Sequence, residues 1–191
     1  MNSALASIVL GLVPLAVDAQ PRTFEFGGTG NGGVRFRSEA PLETIEGTSN
    51  AIDGEVIVDP NQLAAARGRL IVPVRSIRTG EPTRDEHLAG ADWLDSERYP
   101  NIEFRLTEVL GASSLTQGTA ADVTLVGVLK IHGEEKPVRA SGRVLWTGDS
   151  VRVRADFKVQ LSDFNVSILP PARAKVSNEI TVSINAQARA S

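Results

Sequence analysis

The chain has 191 residues, of which 41% are hydrophobic, and this suits one domain large enough to bury a core. Its formal net charge of -3 lacks the basic excess expected of a nucleic-acid-binding domain. It contains no cysteine, which excludes disulfides, thiol catalysis, cysteine-type zinc clusters and a lipid-modified cysteine.

The first 19 residues differ from the rest, because the stretch from Ala4 to Val17 is almost wholly apolar. This run is shorter than the roughly 18 residues needed to span a membrane. Val17 and Ala19 place short side chains where a signal peptidase would cleave. We therefore predict a signal peptide over residues 1–19 and an exported, periplasmic domain over residues 20–191. An apolar N-terminal strand or a membrane anchor is the alternative.

A glycine-rich stretch, GTGNGG at Gly28–Gly33, matches the spacing of a dinucleotide-binding fingerprint, and Asp53 follows twenty residues later. That fingerprint requires a helix after the glycines, but the residues from Val34 to Ser38 alternate like a strand. The dipeptide Asn31-Gly32 is typical of a tight turn. We therefore predict a hairpin loop here and no nucleotide site.

The remainder of the chain is dominated by apolar residues that recur at every second position, which is typical of strands with one buried face. With the residues around Phe24 and Phe36, about nine such stretches are separated by turn residues, a spacing found in sandwiches and barrels. The clearest are Val56 and Val58; Leu70, Val72 and Val74; Ile102, Phe104 and Leu106; Val123 to Ile131; Val138 to Trp146; Val151 to Leu161; and Ile180, Val182 and Ile184.

One segment breaks this alternation. Thr83 to Glu86 has the form of a capping box, in which Thr83 would cap the first helical turn and Glu86 would reach back. A short helix is therefore predicted, ending before Pro100 and covering one end of the sheet. Its apolar contacts would come from Leu88, Ala91, Trp93 and Leu94.

The two histidines, His87 and His132, do not indicate catalysis. Asp85, Glu86 and His87 are consecutive and cannot easily converge from one helix face on a metal ion, so no metal site is expected. His132 lies in a charged stretch predicted to be an exposed turn. No Gly-x-Ser-x-Gly elbow is present, and we expect a protein that is not an enzyme. An enzyme using His87 with Asp85 or Glu86 is the rival interpretation.

Alternation alone favours a packed barrel core over a barrel with a ligand cavity, although about eight strands permit both. Small residues at inward positions favour a cavity because they leave room. These residues are Gly127, Ala140, Gly142 and Ala155.

The stretch SIRTGEPTRDEHLAGADWLDSERYPNIEF, Ser76 to Phe104, closely resembles the signature region of the YceI-like family of bacterial polyisoprenoid-binding, lipocalin-like proteins. The looser matches are VGVLKIHGEEKPV and LSDFNVSI. In the first of these, Lys130 stands where threonine is usual. Three further positions depart from the family pattern: Ser38, where histidine is common, Leu161, where arginine is usual, and Asn165, where glycine is usual. The central matches are Ser76, Ile77, Thr79, Gly80, Arg84, Asp85, His87, Leu88, Trp93, Leu94, Asp95, Tyr99, Pro100, Ile102 and Phe104.

This resemblance implies an all-β fold, an extended antiparallel eight-stranded barrel with a short capping helix, whose cavity holds an isoprenoid chain as its bound ligand and needs no cofactor. It also implies a salt link or a capping role for Arg84, Asp85 and His87. The residues predicted to line the cavity are Val72, Val74, Phe104, Leu106, Leu125, Leu129, Val144, Phe157 and Leu161.

The function expected from the sequence is to carry or sequester a polyprenyl chain or an isoprenoid quinone, with no nucleic acid partner and no membrane span after signal cleavage. The alternative is a packed β-domain with a structural or protein-binding role in the bacterial envelope. The sequence is compatible with a homodimer as well as with a monomer.

Overall fold

The computed structural model describes residues 20–27 and 32–191, so the predicted signal peptide and most of the GTGNGG stretch lie outside the described residues. The described chain forms ten strands and one α-helix. They are β1 (Arg22–Phe26), β2 (Gly32–Glu39), β3 (Thr44–Ser49), β4 (Asp53–Val58), β5 (Arg67–Pro73), α1 (Pro82–Ala89), β6 (Asn101–Leu110), β7 (Ala120–Ile131), β8 (Glu134–Trp146), β9 (Ser150–Gln160) and β10 (Glu179–Ala190).

The strands form a closed antiparallel barrel, as predicted. From β4 to β10 each strand pairs with the next one along the chain, and β1 pairs with both β4 and β10 to complete an eight-stranded wall. Short turns favour this order. His132 and Gly133, which join β7 to β8, have φ angles of 50° and 82°, the left-handed values that suit a tight hairpin. Closure leaves no long unpaired edge in the wall.

The strands β2 and β3 extend the barrel beyond β1 and β4. Both β1 and β2 are antiparallel to β10, with Phe24 opposite Ala190 and Gly32 opposite Ala186. The strands β1 and β2 therefore run in the same direction along one neighbour. The prediction of a hairpin between them is wrong. The strand β1 pairs with β10 and β4, the strand β2 pairs with β10 and β3, and the two strands do not pair with each other.

A single bridge closes the extended end of the barrel. The amide of Thr48 in β3 donates to the carbonyl of Arg78 at 2.8 Å, and the amide of Arg78 donates back to Thr48 at 2.8 Å. This bridge joins β3 to the chain that leaves β5 and leads into α1. The helix is thereby positioned over this end of the barrel.

The helix exists as predicted, but its predicted capping box is wrong. The helix begins at Pro82, so Thr83 lies inside it, and Glu81 at the N-cap makes no side-chain capping hydrogen bond. Proline suits this first position because its φ is already helical and it has no amide to satisfy. Leu88, Trp93 and Leu94 pack onto the barrel, whereas Ala91 is exposed.

The interior divides into two apolar clusters. At the end that contains β1 and β4 the core is packed, and Phe24 is 0% exposed among Leu125, Val144 and Val151. The loops around Leu63 and Leu115 cover this packed end, where the Leu115 amide donates to the Pro60 carbonyl at 2.7 Å. The second cluster lies under α1 and includes Leu129, Val159, Phe164 and Ile180.

We expect Phe24→Ala to lower the free energy of unfolding by about 3–5 kcal/mol, because it removes a fully buried ring from the packed end. Urea unfolding would measure this loss. The neighbouring Glu25→Ala is the control, since Glu25 is exposed and should change stability by less than about 0.5 kcal/mol. Equal losses in the two variants would contradict a packed core at this end.

Candidate functional site

The barrel encloses a cavity of about 490 Å³ below α1. This volume lies in the range of roughly 300–1,000 Å³ that is common for small-molecule sites. Its wall is built from the inward side chains of seven strands, namely β2, β3, β5, β6, β7, β9 and β10, with the apolar undersides of the helix and of a late loop above them. The lining includes Val34, Phe36, Leu70, Val72, Ile102, Phe104, Leu129, Ile131, Phe157, Val159, Ile180, Val182, Ile184, Leu88, Trp93, Val166 and Val176.

Two phenylalanine rings of the wall lie against glycines of neighbouring strands. Gly47 is paired with Phe36, and a Cβ atom at Gly47 would clash with the Phe36 ring. A Cβ atom at Gly127 would likewise clash with the Phe104 ring, although Gly127 is paired with Leu106. Because the glycines lack a side chain, both rings lie close to the barrel wall and leave the space inside it open.

Five of the nine residues predicted to line the cavity do so in the structure: Val72, Phe104, Leu129, Phe157 and Leu161. Leu106, Leu125 and Val144 also face inward, but they belong to the packed end. Val74 lies in a short 3-10 turn after β5 and packs into the cluster under the helix. As ligand contacts, all nine residues stay a prediction.

The small inward residues do not provide the cavity in the way that the sequence suggested. Ala140 and Ala155 are part of the packed core, and Gly127 and Gly142 lie against neighbouring backbone and side chains. None of the four is among the cavity-lining residues of the described chain. The open space lies nearer the helix. Alternation along a strand predicts the face of the sheet on which a side chain lies, but it does not predict the position of that side chain along the barrel axis.

Sequence reasoning missed several wall residues. Phe36, Ser38, Val182 and Ile184 lie on β2 and β10, whose alternation is visible in the sequence and could have revealed them. Val166, Ala172 and Val176 come from the loop before β10. That loop has no periodic pattern, so its place over the cavity depends on the tertiary fold alone.

Three of the positions that depart from the family pattern have clear local roles. Ser38 is 2% exposed, lines the cavity and accepts a hydrogen bond from the Ser177 amide at 2.9 Å. Leu161 contributes to the wall. Asn165 has a φ of 56°, and asparagine is among the non-glycine residues that tolerate this left-handed conformation best.

Polar residues of α1 and its neighbours surround the cavity mouth. The Arg84 guanidinium donates to the Glu43 carboxylate at 2.9 Å and to the Thr79 hydroxyl and carbonyl, each at 3.0 Å. Asp85 accepts from the amide and the hydroxyl of Thr79 at 2.7 and 2.6 Å. The bond to Glu43 ties the helix to the chain before β3, and the bonds to Thr79 tie it to the segment that leads into α1. The predicted salt link is present for Arg84, whereas Asp85 acts through hydrogen bonds and forms no ion pair within the described residues.

The hydrogen bonds to Asp85 also affect its ionisation. Desolvation by burial is the largest single influence and opposes the charged form. The two hydrogen bonds from Thr79, together with the positive charges of Arg78 and Arg84, outweigh it and hold the pKa of Asp85 below its ordinary value. Asp85 is therefore a structural carboxylate at neutral pH.

The two histidines occupy different surroundings. His87 is exposed at the cavity mouth and makes no side-chain hydrogen bond or ion pair within the described residues. Among those residues no group of three or more potential metal ligands comes together. His132 is half-buried, with its ring 4.8 Å from that of Tyr99 in an edge-on contact. The predicted turn is therefore present, but the side chain of His132 is half-buried and not exposed.

A closed antiparallel barrel with an apolar cavity beneath a short helix defines a lipocalin-like β-barrel protein. The comparison with known families is specific: the family model described as the YceI-like domain matches residues 19–188. The chain belongs to the YceI-like family.

Relatives of known sequence support this assignment. Protein YceI of Escherichia coli O157:H7 is 31% identical over 145 residues, which cover 72% of each chain. A UPF0312 protein of Vibrio cholerae serotype O1 is 25% identical over 176 residues, or 88% of each chain.

Two solved structures have the same fold. Burkholderia cenocepacia BcnA matches with a TM-score of 0.71 and 21% identity, over 82% of this chain and 95% of BcnA. A polyisoprenoid binding domain from Saccharophagus degradans matches with a TM-score of 0.71 and 14% identity, over 90% of this chain and 100% of that domain. Over the described residues, no helix has the length and apolar character that crossing a membrane requires.

We expect Asp85→Asn to lower the free energy of unfolding by about 1 kcal/mol at neutral pH, since charge-assisted hydrogen bonds at a partly exposed site are lost. The pKa of Asp85 is lower in the folded protein than in the unfolded chain. Its contribution is therefore complete above the unfolded pKa and disappears as the pH falls through the folded pKa. Urea unfolding across this acidic range should show the variant and the parent protein converging.

Asp92→Asn is the matched control, because Asp92 is exposed in the segment that follows α1 and has no side-chain partner among the described residues. It should follow the parent protein at every pH. If Asp85→Asn behaved in the same way, Asp85 would not hold the helix in place.

Proposed function

We propose that the protein binds the hydrocarbon chain of a lipid inside its barrel, and that this lipid is an isoprenoid such as a polyprenyl chain or an isoprenoid quinone. The observation that carries the proposal is the cavity of about 490 Å³, whose wall consists mostly of aliphatic and aromatic side chains, with polar residues toward its mouth. An apolar cavity of this kind offers a long hydrocarbon a place away from water.

The energy available from burial is large enough. Each buried CH₂ group contributes roughly 0.8 kcal/mol, so a five-carbon isoprene unit contributes on the order of 3–4 kcal/mol before the cost of ordering. A few units would approach the limit of non-covalent affinity, about 18–21 kcal/mol, and the ordering of the chain must offset part of that gain. Affinity is therefore limited by ordering and not by desolvation.

The choice of an isoprenoid rests on analogy. The Saccharophagus degradans domain is a polyisoprenoid binding domain, and it shares the fold of this chain at 14% identity. Identity at that level supports a common fold, and a common fold can accommodate different ligands. The apolar wall supports a lipid independently of this analogy, while the isoprenoid class depends on it.

The cavity mouth would contact the polar head group of the lipid. Arg84 and Glu43 form an ion pair there, at 2.9 Å. His87 and Lys175 also border the cavity, and neither forms an ion pair with another described residue. Both side chains can donate a hydrogen bond to a head group, and they distinguish the mouth from the apolar interior.

The hydrogen bonds that Asp85 accepts favour binding over catalysis as the function of the site. Asp85 accepts both short hydrogen bonds from Thr79 and none from His87 within the described residues, so it secures the helix and is not placed to orient His87 as a base. The packed interior that the alternative envelope role requires exists only at the β1 and β4 end. We therefore propose a binding protein that carries or sequesters its lipid.

Export to the periplasm, cleavage after Ala19 and a homodimer stay predictions. Residues 1–19 lie outside the described chain. Mass spectrometry of the mature N-terminus, after expression in a bacterium and isolation of the periplasmic fraction, would test the first two. An intact N-terminus in the membrane fraction would contradict both.

We expect an organic-solvent extract of the purified protein to contain a long-chain isoprenoid when it is analysed by mass spectrometry. Val182→Phe should lower the amount of bound lipid roughly fivefold or more, because the larger ring occupies space on the cavity wall. The amount of lipid per mole of folded protein is the quantity to measure, with urea unfolding as the check on folding.

Thr181→Phe is the matched control, since it introduces the same ring one position earlier on β10, where the side chain points to the other face. It should retain the lipid content of the parent protein. An empty extract from the parent protein, together with no binding of an added polyprenyl alcohol, would refute the proposed function.

A further inference from the structure

An exposed apolar patch lies beside the cavity mouth. Three large hydrophobic side chains of the described residues are exposed, and two of them are Leu42, at 73%, and Leu169, at 50%. The third, Ile57, lies on the outer face of β4 near the packed end. The patch that we name the rim patch consists of Leu42 and Leu169 with the exposed prolines beside them, Pro41, Pro170 and Pro171.

The two segments of the rim patch are held together and belong to the mouth. The Leu42 amide donates to the Ala174 carbonyl at 3.0 Å. Pro41 borders the same outer groove as Ile168 and Arg173. The residues next to the patch, Glu43 on one segment and Ala172 on the other, line the cavity. An exposed apolar surface therefore borders the opening of an apolar interior.

The loop that carries Leu169 is positively charged. No acidic residue occurs between Asp163 and Glu179, whereas Arg173 and Lys175 both lie in this stretch and are exposed. The acid that borders the outer groove, Glu39, is paired with Arg37 at 2.7 Å. Glu43 is paired with Arg84. The two cations of the loop have no ion-pair partner among the described residues.

We propose that the rim patch docks the cavity mouth onto the surface of an anionic lipid bilayer. Exposed leucines and prolines with adjacent basic side chains match the boundary between lipid head groups and acyl chains. The inference rests on the proposed function, because a long isoprenoid is insoluble in water and must enter the cavity from a membrane. The docked mouth gives the chain a path that avoids water.

Vesicle sedimentation tests this docking. The full chain is mixed with vesicles of phosphatidylcholine and phosphatidylglycerol, and separately with vesicles of phosphatidylcholine alone. The protein should bind the mixed vesicles more tightly, and added salt should weaken that binding. The apolar residues 4–17 are shared by all variants, so comparisons between variants report on the rim patch alone.

We expect Leu42→Ser/Leu169→Ser to weaken binding to the mixed vesicles roughly tenfold or more, because two exposed apolar side chains no longer enter the interface. Ile57→Ser removes a similarly exposed hydrophobic side chain away from the mouth and should leave binding within about twofold. Both variants alter exposed positions, so urea unfolding should show folds as stable as the parent protein.

The electrostatic part of the proposal has its own pair of variants. Arg173→Gln should weaken binding to mixed vesicles about fivefold and reduce the salt dependence. Arg154→Gln is the control, because Arg154 is exposed on β9 in the barrel wall and should leave both unchanged. Equal effects of the two substitutions would show that only the overall charge of the protein matters and would overturn the docking site.

The outcomes separate this inference from the proposed function. Lipid in the extract of the parent protein without any vesicle binding overturns the rim patch as a membrane-docking site and leaves the cavity function standing. Patch-dependent vesicle binding with an empty cavity supports docking and refutes the cavity function. The patch could instead drive the association of two copies of the chain. A sedimentation coefficient that depends on concentration, and that no longer does so in Leu42→Ser/Leu169→Ser, would show this. The rim patch would then bind a second copy of the chain, and membrane docking would be wrong.

Discussion

Closure of the hydrogen-bonded wall is the constraint on which the rest of this structure depends. Strand β10 pairs on one side with β9 along most of its length and on the other with β1 and β2 in succession. Because neighbouring strands lie at a fixed spacing, the number of strands sets the width of the interior, whatever the side chains. The side chains then decide only where that interior is filled.

The two ends of the barrel fill this interior differently. At the packed end, Phe24, Leu125 and Val144 meet across the barrel, and two loops cover them from outside. Toward the helix, Phe36 and Phe104 lie close to the wall against glycines. A barrel that is solid at one end obtains its stability there. The other end can then remain open without loss of the fold.

The helix end combines three features that a lipid-binding barrel needs. Arg84 and Asp85 hold α1 over the cavity through bonds to Glu43 and Thr79. His87 and Lys175 border the opening with unpaired polar groups among the described residues. Leu42 and Leu169 place apolar surface beside that opening. Apart from α1 itself, these features lie on segments that contain little regular structure, as is common for functional sites on a rigid scaffold.

The sequence alone determined the class of fold, because apolar residues at every second position can bury one face only as strands. It also determined which residues face inward, the presence of a short helix and, through the family resemblance, the salt link of Arg84. The tertiary structure decided the rest. The pairing of β2 with β10, the height of Leu106 and Leu125 in the packed end, and the position of Val166 and Leu169 at the mouth all depend on contacts between residues distant in the chain. A periodicity of two predicts the face of the sheet on which a side chain lies. It carries no information about the position of that side chain along the axis of a closed barrel.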